Sequence, residues 1–186
     1  MVKEKQLNEI FGATEVTNLN RLSGGANRET WSFEANTKEK QRSLIMQIDR
    51  SGMDRLHGTC ERESRILRIA KLNGVPVPTV VASGFSEGLG SRSFSITEKM
   101  QGETIARKIL RDSQWEHARG NLIHDMAKAL AAIHKIDRSH FEGIELSDIR
   151  DPLSSLNSIY EALDDPHPTF DFAFRWLKAN QPKISE

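Results

Sequence analysis

The sequence predicts an α+β chain: a five-stranded antiparallel sheet carrying one helix, followed by helices alone. Three observations support this. Gly24-Gly25 sits among small polar residues between two apolar segments, and after it Trp31, Phe33 and Ala35 alternate with Ser32 and Glu34, the pattern of two strands joined by a glycine-rich turn. Ser43–Asp49 and Ser93–Met100 repeat the two-residue alternation. Beyond Thr104 the apolar residues recur at three- and four-residue steps instead, which is helical spacing.

The elements follow in order. Leu7, Ile10 and Phe11 share one side of a short helix over Gln6–Phe11, which Gly12 ends. Val16–Leu22 and the Trp31–Ala35 segment are the first two strands, and Asn36–Arg42 is a polar turn. In the third strand, Ser43–Asp49, Leu44, Met46 and Ile48 lie on one face and Ile45 and Gln47 on the other. Ser51–Gly58 reads as loop. A helix runs over Thr59–Leu72 and stops at Asn73-Gly74. Cys60, Glu63, Ile66, Leu67 and Ala70 share one side of it, and Glu61, Arg65 and Arg68 share a solvated side. Glu63 is therefore the carboxylate on the apolar side, where it needs a partner or a wet cleft; otherwise it sits at the edge of the stripe and reaches water.

Val75-Pro76-Val77-Pro78 is held extended by its prolines. Thr79–Gly84 is the fourth strand, Gly88–Ser91 a turn, and Ser93–Met100 the fifth strand, broken by Gln101-Gly102. Thr104–Leu110 is a short helix. Gln114–His134 is a long one, striped by Trp115, Ala118, Leu122, Met126, Ala129 and Ile133 and widened by Ile123, Ala127 and Leu130, so it is expected to be largely buried. Asp151-Pro152 combines an N-cap with proline at the first helical position and starts a helix through Leu163. Asp164–Pro168 is loop, and Phe170–Asn180 is a last helix that Pro182 ends. The boundary falls near Gly102: residues 1–102 hold the sheet and its helix, residues 103–186 the remaining helices.

Composition excludes several classes of function. Lysine plus arginine and aspartate plus glutamate number 26 each, so the net charge is zero. That leaves no global field for nucleic acid or anionic membrane. Trp31, Trp115 and Trp176 read as core or partial core rather than as a stacking platform for bases. Cys60 is the single cysteine of the 186 residues, which precludes an intrachain disulfide and points to a reducing compartment. No run approaches a membrane span, and Met1–Gln6 leads into no apolar stretch of signal length. The expectation is a cytoplasmic protein. None of the six histidines pairs at metal-site spacing, so no metal ligands are assigned. Gly84-Phe85-Ser86-Glu87-Gly88 matches the letters of a nucleophile elbow, but it lies between two strands, whereas an elbow needs a strand followed by a helix; it reads as a turn.

The Leu22–Phe33 stretch alone reads first as an ordinary hairpin with Gly-Gly at its turn. Its second reading is a loop whose N–H groups cradle phosphate. The wider order of motifs favours the second. Leu22-Ser23-Gly24-Gly25-Ala26-Asn27-Arg28-Glu29-Thr30-Trp31 is followed by Glu61-Arg62-Glu63 and Gly74-Val75-Pro76-Val77-Pro78. Then come Thr97-Glu98-Lys99-Met100-Gln101-Gly102 and Leu130-Ala131-Ala132-Ile133-His134-Lys135-Ile136-Asp137. In this order the chain resembles the aminoglycoside-phosphotransferase-like family of small-molecule kinases, with a protein-kinase-like fold, and the resemblance runs nearly to its end.

The resemblance implies roles. Gly24, Gly25, Ala26 and Asn27 would fold over the phosphates of ATP, and Arg28 would add a charge-assisted contact. Glu63 would pair with a basic residue of the third strand. Glu98, Lys99 and Met100 would form the hinge whose backbone binds the adenine edge, and His134 would be structural. Residues 1–102 would be the smaller lobe and residues 103–186 part of a helical lobe.

Two positions depart from the family pattern. The third-strand basic position holds Gln47, with Arg50 as the alternative if that strand ends early. The catalytic His-Gly-Asp with its following Asn, and the later magnesium-binding Asp, are not found; His57-Gly58-Thr59 and His134-Lys135-Ile136-Asp137 are the nearest local spellings. No catalytic residue is therefore assigned. The expectation is the N-terminal part of an ATP-dependent phosphotransferase acting on a small-molecule hydroxyl, truncated and inactive alone, with magnesium only where the C-terminal part is present. The alternatives are a non-catalytic nucleotide-binding or regulatory module, and a remnant that self-associates or recruits a partner through an exposed helical surface. Neither nucleic acid nor membrane is an expected partner.

Overall fold

The computed structural model describes residues 7, 8, 10, 15–22, 27–36, 41–50, 58–144 and 151–182. The chain divides into two compact units, residues 1–144 and 145–186. The first contains one sheet with strands β1 (Glu15–Leu22), β2 (Arg28–Asn36), β3 (Gln41–Asp49), β4 (Val80–Ser86) and β5 (Arg92–Glu98). Their spatial order is β1-β2-β3-β5-β4, and every neighbouring pair is antiparallel. Helix α1 (Cys60–Leu72) follows β3. Helices α2 (Ala106–Arg111) and α3 (Glu116–His134) follow β5, with the 3-10 turn Ser113–Trp115 between them.

Register sorts the side chains into two unlike faces. Trp31, Phe33, Ala35, Leu44, Met46, Ile48, Phe94 and Ile96 form the apolar core with Val16, Leu7 and Leu89. The expected alternation of β3 is therefore observed, with Leu44, Met46 and Ile48 fully buried. The opposite parity carries Arg28 beside Asp49, Thr30 beside Gln47, and Gln47 beside Ser95. That second face is polar, and α1 sits on it.

The seating of α1 answers the four orphan N–H groups that open any α-helix. Cys60 N–H donates to Asp49 Oδ2 at 3.0 Å and Glu61 N–H to Ser93 Oγ at 2.8 Å. Arg62 N–H donates to the Thr59 N-cap hydroxyl at 3.1 Å, and Glu63 N–H to Thr59 O at 3.1 Å. The Glu63 bond is the first i→i−4 bond of the helix itself; of the orphan donors before it, those of Cys60 and Glu61 are satisfied by the sheet, which ties the helix start to β3 and β5. At the other end Gly74, with φ 78°, follows the Asn73 cap as expected from the sequence. The expected inward stripe needs one correction. The buried residues of α1 are Cys60, Ser64 and Ala70. Ser64 was not on the stripe because its hydroxyl reads as polar; it is buried because that hydroxyl donates to Cys60 O and meets Ser95 Oγ, both at 2.8 Å.

Other boundaries shift by a few residues. The fourth strand continues to Ser86, and the fifth stops at Glu98. Ser86 leads through the 3-10 turn Glu87–Leu89 into β5, a strand-to-strand connection as expected rather than a nucleophile elbow. Of the first predicted helix, Leu7, Asn8 and Ile10 are helical, and its other residues lie outside the described ones. The larger correction concerns α3. Expected to be largely buried, it has no buried residue, and Leu122, Met126, Leu130 and Ile133 are 48%, 62%, 53% and 48% exposed. Its main neighbours are α2 and the adjoining turn, and its apolar stripe meets no covering surface among the described residues. Arg119 joins the pair by donating to Ile109 O and Asp112 O at the end of α2, both at 2.8 Å.

The second unit pairs α4 (Pro152–Ala162) with α5 (Pro168–Ala179). Asp151 caps α4 through Ser154 N–H at 3.0 Å, with Pro152 in the first turn. Tyr160 holds the pair together: its hydroxyl accepts from His167 N–H at 2.6 Å and donates to Asp171 Oδ1 at 2.9 Å. Its ring meets Phe170 edge-on and Phe174 at a tilt. Trp176, expected in a partial core, is 56% exposed, since two helices cannot enclose both sides of their apolar residues.

Candidate functional site

The polar face of the sheet gathers charge at the C-terminal end of β3. Arg28 opens β2 directly opposite Asp49. Its Nε lies 3.4 Å from Asp49 Oδ1, and its Nη1 donates to Glu63 Oε2 of α1 and, at 3.4 Å, to Gln47 Oε1. The Arg28 and Asp49 side chains are 15% and 9% exposed, whereas Glu63 is 46% exposed and faces water. Burial alone would lower the Arg28 pKa, but the Glu63 hydrogen bond and the surrounding charges outweigh it, so the guanidinium is held more firmly protonated than usual.

Cys60 completes the cluster. Its Sγ–H donates to Asp49 Oδ1 at 3.0 Å. Burial first, then this hydrogen bond, push the thiol pKa well up. A thiol so placed is a structural donor and not a nucleophile. A second ion pair lies alongside. Arg92 Nη1 donates to Glu29 Oε1 at 2.8 Å and to Asp49 O at 3.4 Å, and its Nε donates to Leu89 O at 2.7 Å. The Arg92 hydrogen bond holds the Glu29 carboxyl below its ordinary range.

The other end of β3 has a different character. Glu98 is paired with Leu44. Glu98 N–H donates to Thr79 O at 3.0 Å and Lys99 N–H to Ser43 O at 2.9 Å. Met100 N–H has no partner among the described residues, and the Met100 side chain is largely exposed. From Leu44 to Asp49 the strand covers about 16 Å. A backbone N–H without a partner among the described residues and a clasped guanidinium therefore lie beside the two ends of one strand.

The residues singled out from the sequence are distributed accordingly. Arg28, Gln47 and Glu63 meet at one end, and Glu98, Lys99 and Met100 line the other. Asn27 is half-buried immediately before β2. Gly24, Gly25 and Ala26 lie outside the described residues, as does His57. Glu63, expected to pair with a third-strand cation, pairs with Arg28 of the second strand instead, because a long guanidinium side chain reaches across one strand spacing. Arg50 follows β3 and is exposed. Sequence reasoning passed over Asp49, which binds both Arg28 and the start of α1. Its signal was present: it shares the parity of Gln47 and ends an apolar alternation. Among the described residues no three histidine, cysteine, aspartate or glutamate side chains are grouped to hold a metal ion, and no helix is long and apolar enough to cross a membrane.

The family model described as phosphotransferase enzyme family, APH, matches residues 18–186. A crystal structure from Ralstonia eutropha JMP134, described provisionally as an aminoglycoside phosphotransferase, superposes with a TM-score of 0.57 at 20% identity. The match covers 96% of this chain and 52% of that one, so the chain spans about half the length of this structural relative. No curated protein matches. The α+β order and the family expected from the sequence are both found.

Proposed function

The chain belongs to the phosphotransferase enzyme family, and from that premise we propose that it forms the nucleotide-binding part of an ATP-dependent phosphotransferase whose acceptor is a hydroxyl of a small molecule. In this reading residues 1–102 are the nucleotide lobe and residues 103–186 the first part of a helical lobe. The observation that carries it is the pair of contact points beside the two ends of β3. Met100 N–H is open to the edge of a base, and the Arg28–Glu63–Asp49 cluster lies one strand length away, within the span of an extended nucleoside triphosphate. Kinase-type sites need a strand cation and a helix glutamate joined in this way. The residues present fit the adenine and the first phosphates of ATP.

They do not supply the chemistry. Transfer of the γ-phosphoryl group needs a base for the incoming hydroxyl and carboxylate or amide ligands for magnesium. Residues 1–186 carry no His-Gly-Asp spelling, so the chain by itself binds and does not turn over. ATP in hundredfold excess over its Kd is expected to stabilise the fold by about 2.7 kcal/mol, read as a rise in the melting temperature. No ADP is expected to appear. The absence of any shift at millimolar ATP would overturn the binding part of the proposal, and steady ADP release would overturn the inactive part.

The exposed stripe of α3 favours a second reading, a module that acts by associating with a partner or with itself. Sedimentation of the chain from low to high micromolar concentration tests it. A single monomeric species throughout counts against self-association.

A further inference from the structure

Resting on the nucleotide-binding reading, we propose that the cation meeting the nucleotide's phosphates is Arg28 of β2, held in place by Gln47, Asp49 and Glu63, and standing in for a lysine of β3. In kinase-type sites a third-strand lysine both pairs with the helix glutamate and touches the phosphates. Here the corresponding third-strand residue is Gln47, which brings no charge. The register puts Thr30 opposite Gln47 and Arg28 opposite Asp49, so Arg28 is on the same face, one side-chain step along. Its Nη1 comes within 3.4 Å of Gln47 Oε1 while also binding Glu63. The tip of the arginine therefore lies where a longer basic residue at position 47 would deliver its own charge. The ion pair between strand cation and helix glutamate is preserved, moved over by one strand.

A guanidinium suits this transposition better than an ammonium. It is a planar fork with five N–H donors, so one edge can grip carboxylates while another faces a phosphate. Arg28 turns Nε toward Asp49 and gives Nη1 to Glu63 and Gln47. Its Nη2 makes no hydrogen bond among the described residues. Asp49 is itself fixed by Cys60 N–H and the Cys60 thiol, so the clamp is anchored to the start of α1. Within the clamp two carboxylates, Asp49 and Glu63, face the one guanidinium of Arg28. The competing account is thus that Arg28 only neutralises them.

The two accounts differ in how binding depends on phosphate. The 186-residue chain is titrated calorimetrically with ATP, ADP and adenosine, and the ratio of ATP to adenosine affinity is the readout. Arg28→Gln is expected to cut that ratio at least tenfold with adenosine affinity unchanged. Gln47→Lys in the Arg28→Gln background is expected to restore at least a third of the loss, because it returns a cation to the same point. Where Arg28→Gln alone does not fold, Arg28→Gln combined with Glu63→Gln removes the orphaned carboxylate, and the ratio is expected to fall there too. An unchanged ratio in whichever variant folds overturns the proposal and leaves the nucleotide-binding reading intact. So does a wild-type chain that binds ATP and adenosine equally. A wild-type chain that binds neither overturns the nucleotide-binding reading, and this proposal with it.

Discussion

Helices α1 and α3 are both amphipathic by spacing, yet only the less apolar of the two is buried. Helix α1 is rich in charge and carries Ser64 on its inner side, and it buries three residues against the sheet. Helix α3 carries five members of the apolar stripe, Ala118, Leu122, Met126, Ala129 and Ile133, and buries none. What holds α1 is a set of hydrogen bonds to fixed partners: Asp49, Ser93 and Ser95 reach its first turn and its buried serine. Periodicity states which side of a helix is apolar. It does not state whether a surface is there to receive it. The same contrast separates the sheet, with a core of fully buried Phe33, Leu44, Met46, Ile48 and Ile96, from the α4–α5 pair, with no buried residue among those described.

This contrast is open to direct attack. The largest effect is expected at the core face of the sheet: Phe33→Ala should cost about 3–5 kcal/mol by urea unfolding, whereas Met126→Ala on α3 should stay within about 0.5 kcal/mol. A comparable cost at Met126 would mean that the stripe is covered in solution. Asp49→Ala should come next, at about 3 kcal/mol, since it strands the Arg28 guanidinium and the Cys60 N–H in a buried setting. Thr59→Ala removes only the N-cap acceptor of α1 and should cost about 1 kcal/mol.

The smallest effect is one of pH. Arg92 depresses the Glu29 carboxyl below its ordinary value of 4.5. The folded state therefore holds Glu29 ionised where the unfolded chain has begun to protonate it. The stability from this pair is complete above the ordinary value and is lost as pH falls through the depressed one. Glu29→Gln should remove under about 1 kcal/mol at neutral pH and flatten the acid limb of a stability profile below pH about 4.5. An acid limb of unchanged slope would show that the pair contributes nothing.

Much of this was legible in the sequence. The five strands, the helix after the third strand and the helical second half were readable because alternation and three-to-four spacing are local properties. Glu63 was picked out from its place on the α1 stripe, and Arg28 from its place beside the glycine pair. The ligands that organise the cluster were not legible as a set. Asp49 and Ser95 are short polar residues in strands, which by sequence alone are indistinguishable from solvated ones. Their importance depends on which residue lies opposite them in a neighbouring strand, and register is a non-local property.

By itself, then, the sequence determined the order of elements, the apolar faces of the second, third and fifth strands and the absence of a catalytic His-Gly-Asp spelling, since all three follow from residues near one another in the chain. Only the tertiary structure decided that Glu63 is met by Arg28 from β2, that Gln47 serves as its neighbour, and that the stripe of α3 is uncovered among the described residues. Those outcomes depend on distances across strands and between helices, where a side chain's length and the presence of an opposing surface decide what pairs and what is buried.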